Sequence, residues 1–262
     1  MVEIAVEIGS LTLQSRLILG SGGASSHKVV LDALHASGAE VVTVALRRFR
    51  PGSNSSSLYQ ELADAGAIVL PNTAGAHTAN EARTLAELGR EALQTNRVKL
   101  EVVIDDRTLL PDPIELVEAA KDFVRAGFEV FAYTSDDPAL ARILADAGVA
   151  AVMPLGSPIG SGMGILNPAN IALIVELLDL PVILDAGIGT ASDAALAMEL
   201  GVDGVLVASA ITRATDPTKM ARAISLAVQA GRDAWEAGRI ARRPLAVPSS
   251  PLEGLPDFNL VG

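Results

Sequence analysis

The residues best suited to chemistry in this 262-residue sequence are a lysine and a glutamate that interrupt an apolar run. The run reads Val98-Lys99-Leu100-Glu101-Val102 and has the outline of a buried strand. Side chains at i and i+2 of a strand lie on the same face. Lys99 and Glu101 therefore share one face, and the three apolar residues share the other. A buried lysine is costly unless it is paired or used.

Lys99 could act as a nucleophile, because burial lowers the pKa of a lysine and an unprotonated amine attacks a ketone or aldehyde. The product is a Schiff base, whose iminium draws electrons from the adjacent carbon. Glu101 and Asp185, which ends a later predicted strand, would then transfer protons. Two simpler interpretations stay open. Lys99 and Glu101 could form a structural ion pair, and Asp185 could only accept hydrogen bonds from loop amides.

Three loops rich in glycine or serine follow the last three predicted strands. The first runs from Pro154 to Gly164 and contains Gly160, the second is Asp185-Ala186-Gly187-Ile188-Gly189, and the third is Val207-Ala208-Ser209-Ala210. Such loops offer bare backbone N–H groups to a phosphate, although each alone could also be an ordinary tight turn. Because the loops follow neighbouring strands, they predict a phosphorylated substrate.

A repeated unit of apolar strand, polar loop, amphipathic helix and glycine positions these residues. Helices begin with a capping residue and a proline, as at Asp112-Pro113 and Asn167-Pro168. Glycines such as Gly127 and Gly148 end them. Eight strands are predicted, at 17–20, 41–45, 68–70, 98–102, 130–133, 151–154, 182–185 and 205–208, with helices near 27–36, 56–65, 78–93, 113–126, 138–147, 168–178, 191–200 and 217–230.

Eight such units in about 250 residues predict an α/β protein with a single (β/α)8 TIM barrel. An open, doubly wound parallel sheet is the alternative. The predicted organisation is an N-terminal hairpin over residues 1–15 that caps the lower end of the barrel, a catalytic barrel over 16–240 and a C-terminal tail over 241–262. The helical pattern weakens past Gly231.

Composition excludes several classes of function. The net charge of -11 argues against nucleic acid and anionic membrane surfaces. The sequence has no cysteine, which excludes disulfides and thiolate metal sites. No stretch approaches the ~18 apolar residues of a membrane span, so a cytoplasmic protein is expected. No His, Asp or Glu cluster has metal-site spacing, and neither a metal nor an organic cofactor is expected.

Six motifs closely resemble those of bacterial thiazole synthases. The resemblance covers nearly the whole chain in matching order, in segments 71–75, 98–102, 109–113, 152–162, 185–189 and 249–251. It implies a (β/α)8 barrel that forms the thiazole phosphate moiety of thiamine. The substrates in that family are 1-deoxy-D-xylulose 5-phosphate, an imine derived from glycine, and sulfur from the C-terminal thiocarboxylate of a small carrier protein. The implied partners are this carrier, an enzyme that produces the glycine imine, and further copies of the chain in a homo-oligomer.

The resemblance also implies roles for the reactive residues. Lys99 matches the Schiff-base lysine of the family, and Glu101 and Asp185 match its acid–base carboxylates. On this chemistry the ketone carbon of the sugar forms the iminium, isomerisation along the sugar needs a base and an acid, and sulfur then adds before the ring closes.

The binding positions are implied by the resemblance as well. Gly160, Ala186 and Gly187 match positions that bind the sugar phosphate. Ala208 and Ser209 occupy the last binding pair, where the family pattern has Asn-Thr. The backbone amides survive that change, but one side-chain contact is lost. The early loop Gly20-Ser21-Gly22-Gly23 also departs from the pattern, because it lacks the lysine that often follows Gly-Thr-Gly.

Two other functions are compatible with the residues. A Schiff-base aldolase would use the same lysine to cleave a carbon–carbon bond in a sugar phosphate. A non-catalytic partner of a carrier protein would form a complex without turnover. The carrier tail is expected to dock over the strand ends, partly through the C-terminal segment.

Overall fold

A short antiparallel hairpin precedes a parallel barrel in the computed structural model, which describes residues 5–48 and 54–249. The first four residues of the predicted hairpin and residues 250–262 of the predicted tail lie outside the described residues. The strands are β1 (Val6–Ile8), β2 (Leu11–Leu13), β3 (Leu17–Gly20), β4 (Val41–Ala45), β5 (Ile68–Asn72), β6 (Arg97–Leu100), β7 (Glu129–Thr134), β8 (Ala151–Pro154), β9 (Ile183–Asp185) and β10 (Gly204–Val207).

The strands from β3 to β10 form one parallel sheet that closes on itself. Their order is β8-β7-β6-β5-β4-β3-β10-β9, and parallel bridges from Val152 to Val182 and from Leu155 to Asp185 join the two outer strands. The predicted (β/α)8 TIM barrel is confirmed, and the open-sheet alternative is wrong. The domain boundaries stay a prediction.

Helices alternate with the strands as predicted. They are α1 (His27–Ser37), α2 (Asn54–Asp64), α3 (Ala79–Leu93), α4 (Pro113–Arg125), α5 (Pro138–Asp146), α6 (Pro168–Leu177), α7 (Ala191–Glu199), α8 (Ser209–Thr212) and α9 (Pro217–Ala237), with a 3-10 turn at Leu46–Arg48. Asp112, Asp137, Asn167 and Asp216 each cap a helix that begins with proline. In the part of the chain that the structure describes, no helix is both long and apolar enough to cross a membrane.

The expected end of the last helix near residue 230 is wrong, because α9 continues past Gly231 to Ala237. Gly231 lies where α9 crosses α7. A Cβ at that position would collide with the carbonyl oxygen of Ala195 and lie 2.8 Å from the Cβ of Met198. The glycine therefore permits close packing of two helices and does not end one of them.

The strands bury two separate layers of side chains. Val98, Leu100 and Val102 face the helices, in the large cluster between sheet and helices. Alternate residues such as Phe131 and Met153 face the barrel interior, where they pack with Val6, Ile8, Leu11 and Leu13 of the hairpin. Ser10 of the hairpin turn hydrogen-bonds Glu129 at the start of β7. The hairpin thus caps the N-terminal ends of the strands, called here the lower end.

The upper half of the interior is polar instead. Thr43, Asn72, Lys99, Glu101 and Asp185 are all buried, and each comes from the upper part of its strand or just beyond it. Active sites of (β/α)8 barrels form at this end, where the loops after the strands meet.

Candidate active site

Lys99 lies between two carboxylates inside the barrel. Its Nζ atom is 2.6 Å from Oδ2 of Asp185, which ends β9, and it also donates a hydrogen bond to Oε1 of Glu101. The three side chains are between 3% and 6% exposed. The predicted orientation is therefore confirmed, because Lys99 and Glu101 face the interior while their apolar neighbours face the helices.

Asn72 and Thr73, at the end of β5, hold Glu101 in place. The side-chain amide of Asn72 donates to Oε1 of Glu101 at 2.8 Å, and its oxygen accepts from the N–H of Ala74 at 3.0 Å. The hydroxyl of Thr73 accepts from the N–H of Glu101 and donates to its carbonyl oxygen, both at 2.8 Å. The Thr73 hydroxyl thus takes up both the N–H and the carbonyl of Glu101, which would otherwise pair with a neighbouring strand. Regular pairing of β6 ends at Leu100, two residues before the predicted end.

The charge on Lys99 differs from the sequence-based expectation. Burial acts to lower the pKa of Lys99, but the negative charges of Asp185 and Glu101 and their hydrogen bonds outweigh burial. The pKa of Lys99 therefore lies above its ordinary value of 10.5. The expectation of a lowered pKa is wrong, because two carboxylates accompany the amine. In the free protein the amine is an ammonium ion.

Asp185, like Glu101, is a buried carboxylate beside that ammonium ion. Burial raises the pKa of Asp185 above its ordinary value of 3.8; the charge of Lys99 opposes the rise and the charge of Glu101 adds to it. A carboxylate with a raised pKa is a stronger base than an exposed one. Asp185 is therefore a buried carboxylate that pairs with Lys99, and its part in proton transfer stays a prediction.

Tyr133 of β7 lies beside Lys99, and it was not among the predicted site residues. The centre of its ring is 5.2 Å from Nζ of Lys99, within the range of a cation–π contact. Burial, together with the charges of Asp185 and Glu101, raises the pKa of Tyr133, so its hydroxyl stays protonated. The period-two alternation with Phe131 could have placed Tyr133 in the interior, but nothing in the sequence marked it as a neighbour of Lys99.

One cavity of about 750 Å³ connects the buried charges with the glycine-rich loops. The structure brings all eight sequence-predicted site residues to its wall: Lys99, Glu101, Asp185, Gly160, Ala186, Gly187, Ala208 and Ser209. Their chemical roles stay predictions. The cavity also exposes groups that the sequence analysis did not assign to a site, among them Arg213 and the loop from Gly20 to His27.

The loops after β8 and β9 are bonded to each other. The N–H of Gly156 donates to the carbonyl of Ala186 at 3.3 Å, and the N–H of Gly164 donates to the carbonyl of Gly187 at 2.8 Å. Ala186 has a φ of 69°, which is rare for a residue with a side chain. A Cβ on Gly187 would lie 2.5 Å from the amide nitrogen of Ser157. The glycine is therefore required for the two loops to approach this closely.

The loop after β10 meets the loop after β3 in the same way. A Cβ on Gly20 would collide with the Cβ of Ala208, and the hydroxyl of Thr212 donates to the carbonyl of Gly22 at 2.7 Å. Ser209 begins the single turn α8. Loops after β3, β8, β9 and β10 all line the cavity.

The described residues contain no group of three or more His, Asp or Glu side chains that could hold a metal ion. His77 contacts Asp106 at 3.6 Å, and His27 contacts Glu61 at 3.2 Å. Neither contact belongs to a group of three or more such side chains among the described residues.

Comparison with known proteins identifies relatives of the whole barrel. The family model described as thiazole biosynthesis protein ThiG matches residues 7–251. A crystal structure of the Amycolatopsis orientalis BexX/CysO complex shares 33% identity with a TM-score of 0.82, and the match covers 93% of this chain and 100% of that chain.

More distant structures share the fold alone. Thiamine phosphate pyrophosphorylase from Pyrococcus furiosus is 17% identical with a TM-score of 0.57, over 82% of this chain and 95% of that chain. The 3-hexulose-6-phosphate synthase from Salmonella typhimurium is 20% identical with a TM-score of 0.57, over 81% of this chain and 98% of that chain.

Proposed function

Because the chain belongs to the thiazole biosynthesis protein ThiG family, we propose that it is a thiazole synthase that works through a Schiff base on Lys99. It combines 1-deoxy-D-xylulose 5-phosphate, a glycine-derived imine and sulfur from a carrier thiocarboxylate into the thiazole phosphate moiety of thiamine. The observation that carries the proposal is the buried amine of Lys99, which lies between two carboxylates in the cavity that the glycine loops line.

The first step is loss of a proton from Lys99. The amine must be neutral to attack, and Asp185 Oδ2, at 2.6 Å, is positioned to accept the proton. The neutral amine adds to the ketone carbon of the sugar. The carbonyl oxygen then leaves as water, and an iminium bond joins Nζ to that carbon.

The iminium makes the neighbouring C–H of the sugar acidic, and a second base must remove that proton. Glu101 is the candidate, because Asn72 and Thr73 hold its carboxylate and its backbone. Proton transfer along the chain yields the carbon that accepts sulfur. The thiocarboxylate sulfur adds to that carbon, its acyl group passes from sulfur to the oxygen of the same carbon, and the carrier leaves as a carboxylate with that oxygen. The glycine imine then adds, Lys99 leaves as the free amine, and loss of water closes the ring. The Lys99 site thus supplies one amine and two proton-transfer groups.

The phosphate of the sugar lies against the loops after β8, β9 and β10. Backbone N–H groups of Gly160, Ala186 and Gly187 bind it together with those of Ala208 and Ser209. Glycines allow close approach of a ligand to the backbone, and N–H groups from several loops together form an anion site. This arrangement holds the ketone end of the substrate toward Lys99.

A small protein delivers the sulfur. The relative BexX was crystallised as a complex with CysO, and this supports a carrier partner for the present chain. The carrier's C-terminal thiocarboxylate enters the cavity from the upper end. A separate enzyme supplies the glycine imine, and the working enzyme is a homo-oligomer in the cytoplasm.

Borohydride trapping tests the Schiff base directly. Wild-type protein treated with 1-deoxy-D-xylulose 5-phosphate and borohydride should gain the mass of the reduced adduct on the peptide that contains Lys99. Lys99→Ala should gain none, while Lys121→Ala, which removes an exposed helical lysine, should label fully.

Absence of the adduct from the Lys99 peptide in wild-type protein would rule out the proposed mechanism. Adducts formed by aldose phosphates but not by deoxyxylulose 5-phosphate would instead indicate the aldolase. Complex formation with a carrier without turnover would indicate the non-catalytic partner.

A further inference from the structure

Two arginines at the cavity wall are without an ion pair among the residues that the structure describes. Arg47 follows β4 and Arg213 follows α8, and both are exposed at the cavity. Other arginines of the described chain, such as Arg97 and Arg232, have acidic partners. In a chain with a net charge of -11, unpaired arginines beside a cavity require a reason.

The charge of the cavity supplies one reason. Lys99, Glu101 and Asp185 together carry one negative charge when all three are ionised, and Asp106 adds another negative charge to the lining. A phosphorylated substrate brings further negative charge, and backbone amides carry no net charge of their own. The rim arginines are the lining groups that can offset it.

Arg213 is held beside the predicted phosphate site. Its guanidinium lies over Gly23, where a Cβ would be 2.7 Å from Nε of the arginine. Thr212, the preceding residue, is bonded to the carbonyl of Gly22 at 2.7 Å. The bare backbone of Gly23 thus provides the space that the guanidinium occupies. The N–H of Arg213 donates to the carbonyl of Ser209 at 3.1 Å, so the backbone of Arg213 lies one turn after Ser209.

We propose that Arg213 binds the phosphate group of the sugar substrate and sets the preference for a phosphorylated sugar. The inference rests on the proposed function, because it concerns the same cavity and substrate. A guanidinium presents five N–H donors in a planar fork that matches phosphate oxygens. Arg47 lies instead over Gly75, which follows β5, and β4 and β5 are two and three strands away from β10 in the barrel. Arg213 is therefore the rim cation that the geometry assigns to the phosphate.

Calorimetric titration with 1-deoxy-D-xylulose 5-phosphate and with unphosphorylated 1-deoxy-D-xylulose tests the role. Arg213→Gln should weaken binding of the phosphorylated sugar about tenfold to a hundredfold, as expected for a lost charge-assisted contact. The ratio of the affinity for the phosphorylated sugar to the affinity for the unphosphorylated sugar should fall by the same factor in this variant. Arg213→Lys, which keeps the charge but not the fork, should lose less.

Arg222→Gln is the matched control, because it removes the same charge from an exposed position on α9 outside the cavity lining. Its affinity for the phosphorylated sugar should equal that of the wild type. Equal affinities of Arg213→Gln and wild type would overturn the inference while leaving the Schiff-base mechanism intact. Failure of the wild type to bind the phosphorylated sugar at all would overturn both.

Discussion

The two ends of the barrel interior are built by the same strands but differ in polarity and in access to solvent. At the lower end, the hairpin packs Ile8 and Leu13 against interior residues such as Leu70 and Phe131, and the contact is apolar and closed. At the upper end, three ionisable groups are buried beside an open cavity. One end of the interior thus contributes stability, while the other carries charges that would be costly without a function.

One face of strand β6 carries both an exposed and a buried ion pair. Arg97 and Lys99 are two residues apart, and each has an acidic partner. Arg97 lies 3.7 Å from Glu129 with side chains 29% and 32% exposed, whereas Lys99 is 3% exposed. Water screens the first pair, so it holds elements together with little consequence for proton transfer. Because the Lys99 ion pair is buried, the protonation of its amine and carboxylates is sensitive to any ligand that enters the cavity.

The largest expected contrast comes from removing one carboxylate at each end. Asp185→Asn keeps the shape of the side chain but removes the base beside Lys99, so kcat should fall about 10²- to 10⁴-fold. Asp203→Asn is the control, because Asp203 caps the N–H of Val182 near the lower end and lines no part of the cavity. Its kcat should stay within twofold in steady-state assays. A loss below tenfold in Asp185→Asn would contradict the assigned role.

A truncation in the hairpin should have the opposite profile. Leu13 is 1% exposed in the lower cluster, so Leu13→Ala should lower the free energy of unfolding by about 2–5 kcal/mol. The kcat of the folded protein should be unchanged. Urea unfolding followed by circular dichroism gives the first value. Thr12→Ala, at the exposed neighbour, should change stability by no more than about 0.5 kcal/mol. Similar losses of unfolding free energy in both variants would show that the buried face of the hairpin does not pack tightly against the barrel interior.

The sequence predicted the fold well because its signals are local. The alternation in β6 separates Val98 and Leu100 from Lys99, and Asp-Pro or Asn-Pro pairs mark where helices begin. The turn α8 carries no such signal, because no side chain caps its start at Ala208. The glycine at position 231 was ambiguous, since the same residue ends helices or allows two of them to pack closely.

The residues of the candidate site could be predicted from the sequence, but the direction of the pKa shift of Lys99 could not. Eight residues from strands β6 and β9 and from the segments that follow β6, β8, β9 and β10 line one cavity, as alternation and strand order predict. The direction of the pKa shift of Lys99 depends on how close Asp185 comes from a strand more than eighty residues away. Tyr133 and the position of Arg213 over Gly23 likewise depend on packing between distant segments, which no single-chain pattern contains.

The pKa of Lys99 can be measured through reductive methylation with formaldehyde and cyanoborohydride. Only the neutral amine reacts, so its labelling rate should rise about tenfold per pH unit. Because the pKa of Lys99 is raised, the rise should continue beyond its ordinary value of 10.5. In Asp185→Asn one of the two raising charges is absent, so labelling at pH 9 should be several-fold faster than in the wild type. Exposed Lys121 in the same samples controls for the reagent. A rate that levels off below pH 10 in wild-type protein would contradict the raised pKa.

The smallest effect is expected at the other cation of β6. Arg97 contacts Glu129 and also donates to the hydroxyl of Ser10 at 3.2 Å, so it joins the hairpin turn to β6 and β7. Because both partners are partly exposed, Arg97→Gln should cost at most about 1 kcal/mol of unfolding free energy and leave kcat unchanged. A double-mutant cycle with Glu129→Gln should give a coupling of about 0.2–1 kcal/mol. A coupling of several kcal/mol would mean that the lower pair is as desolvated as Lys99. The contrast between the two ends would then depend on which residues surround each cation, and not on its exposure to water.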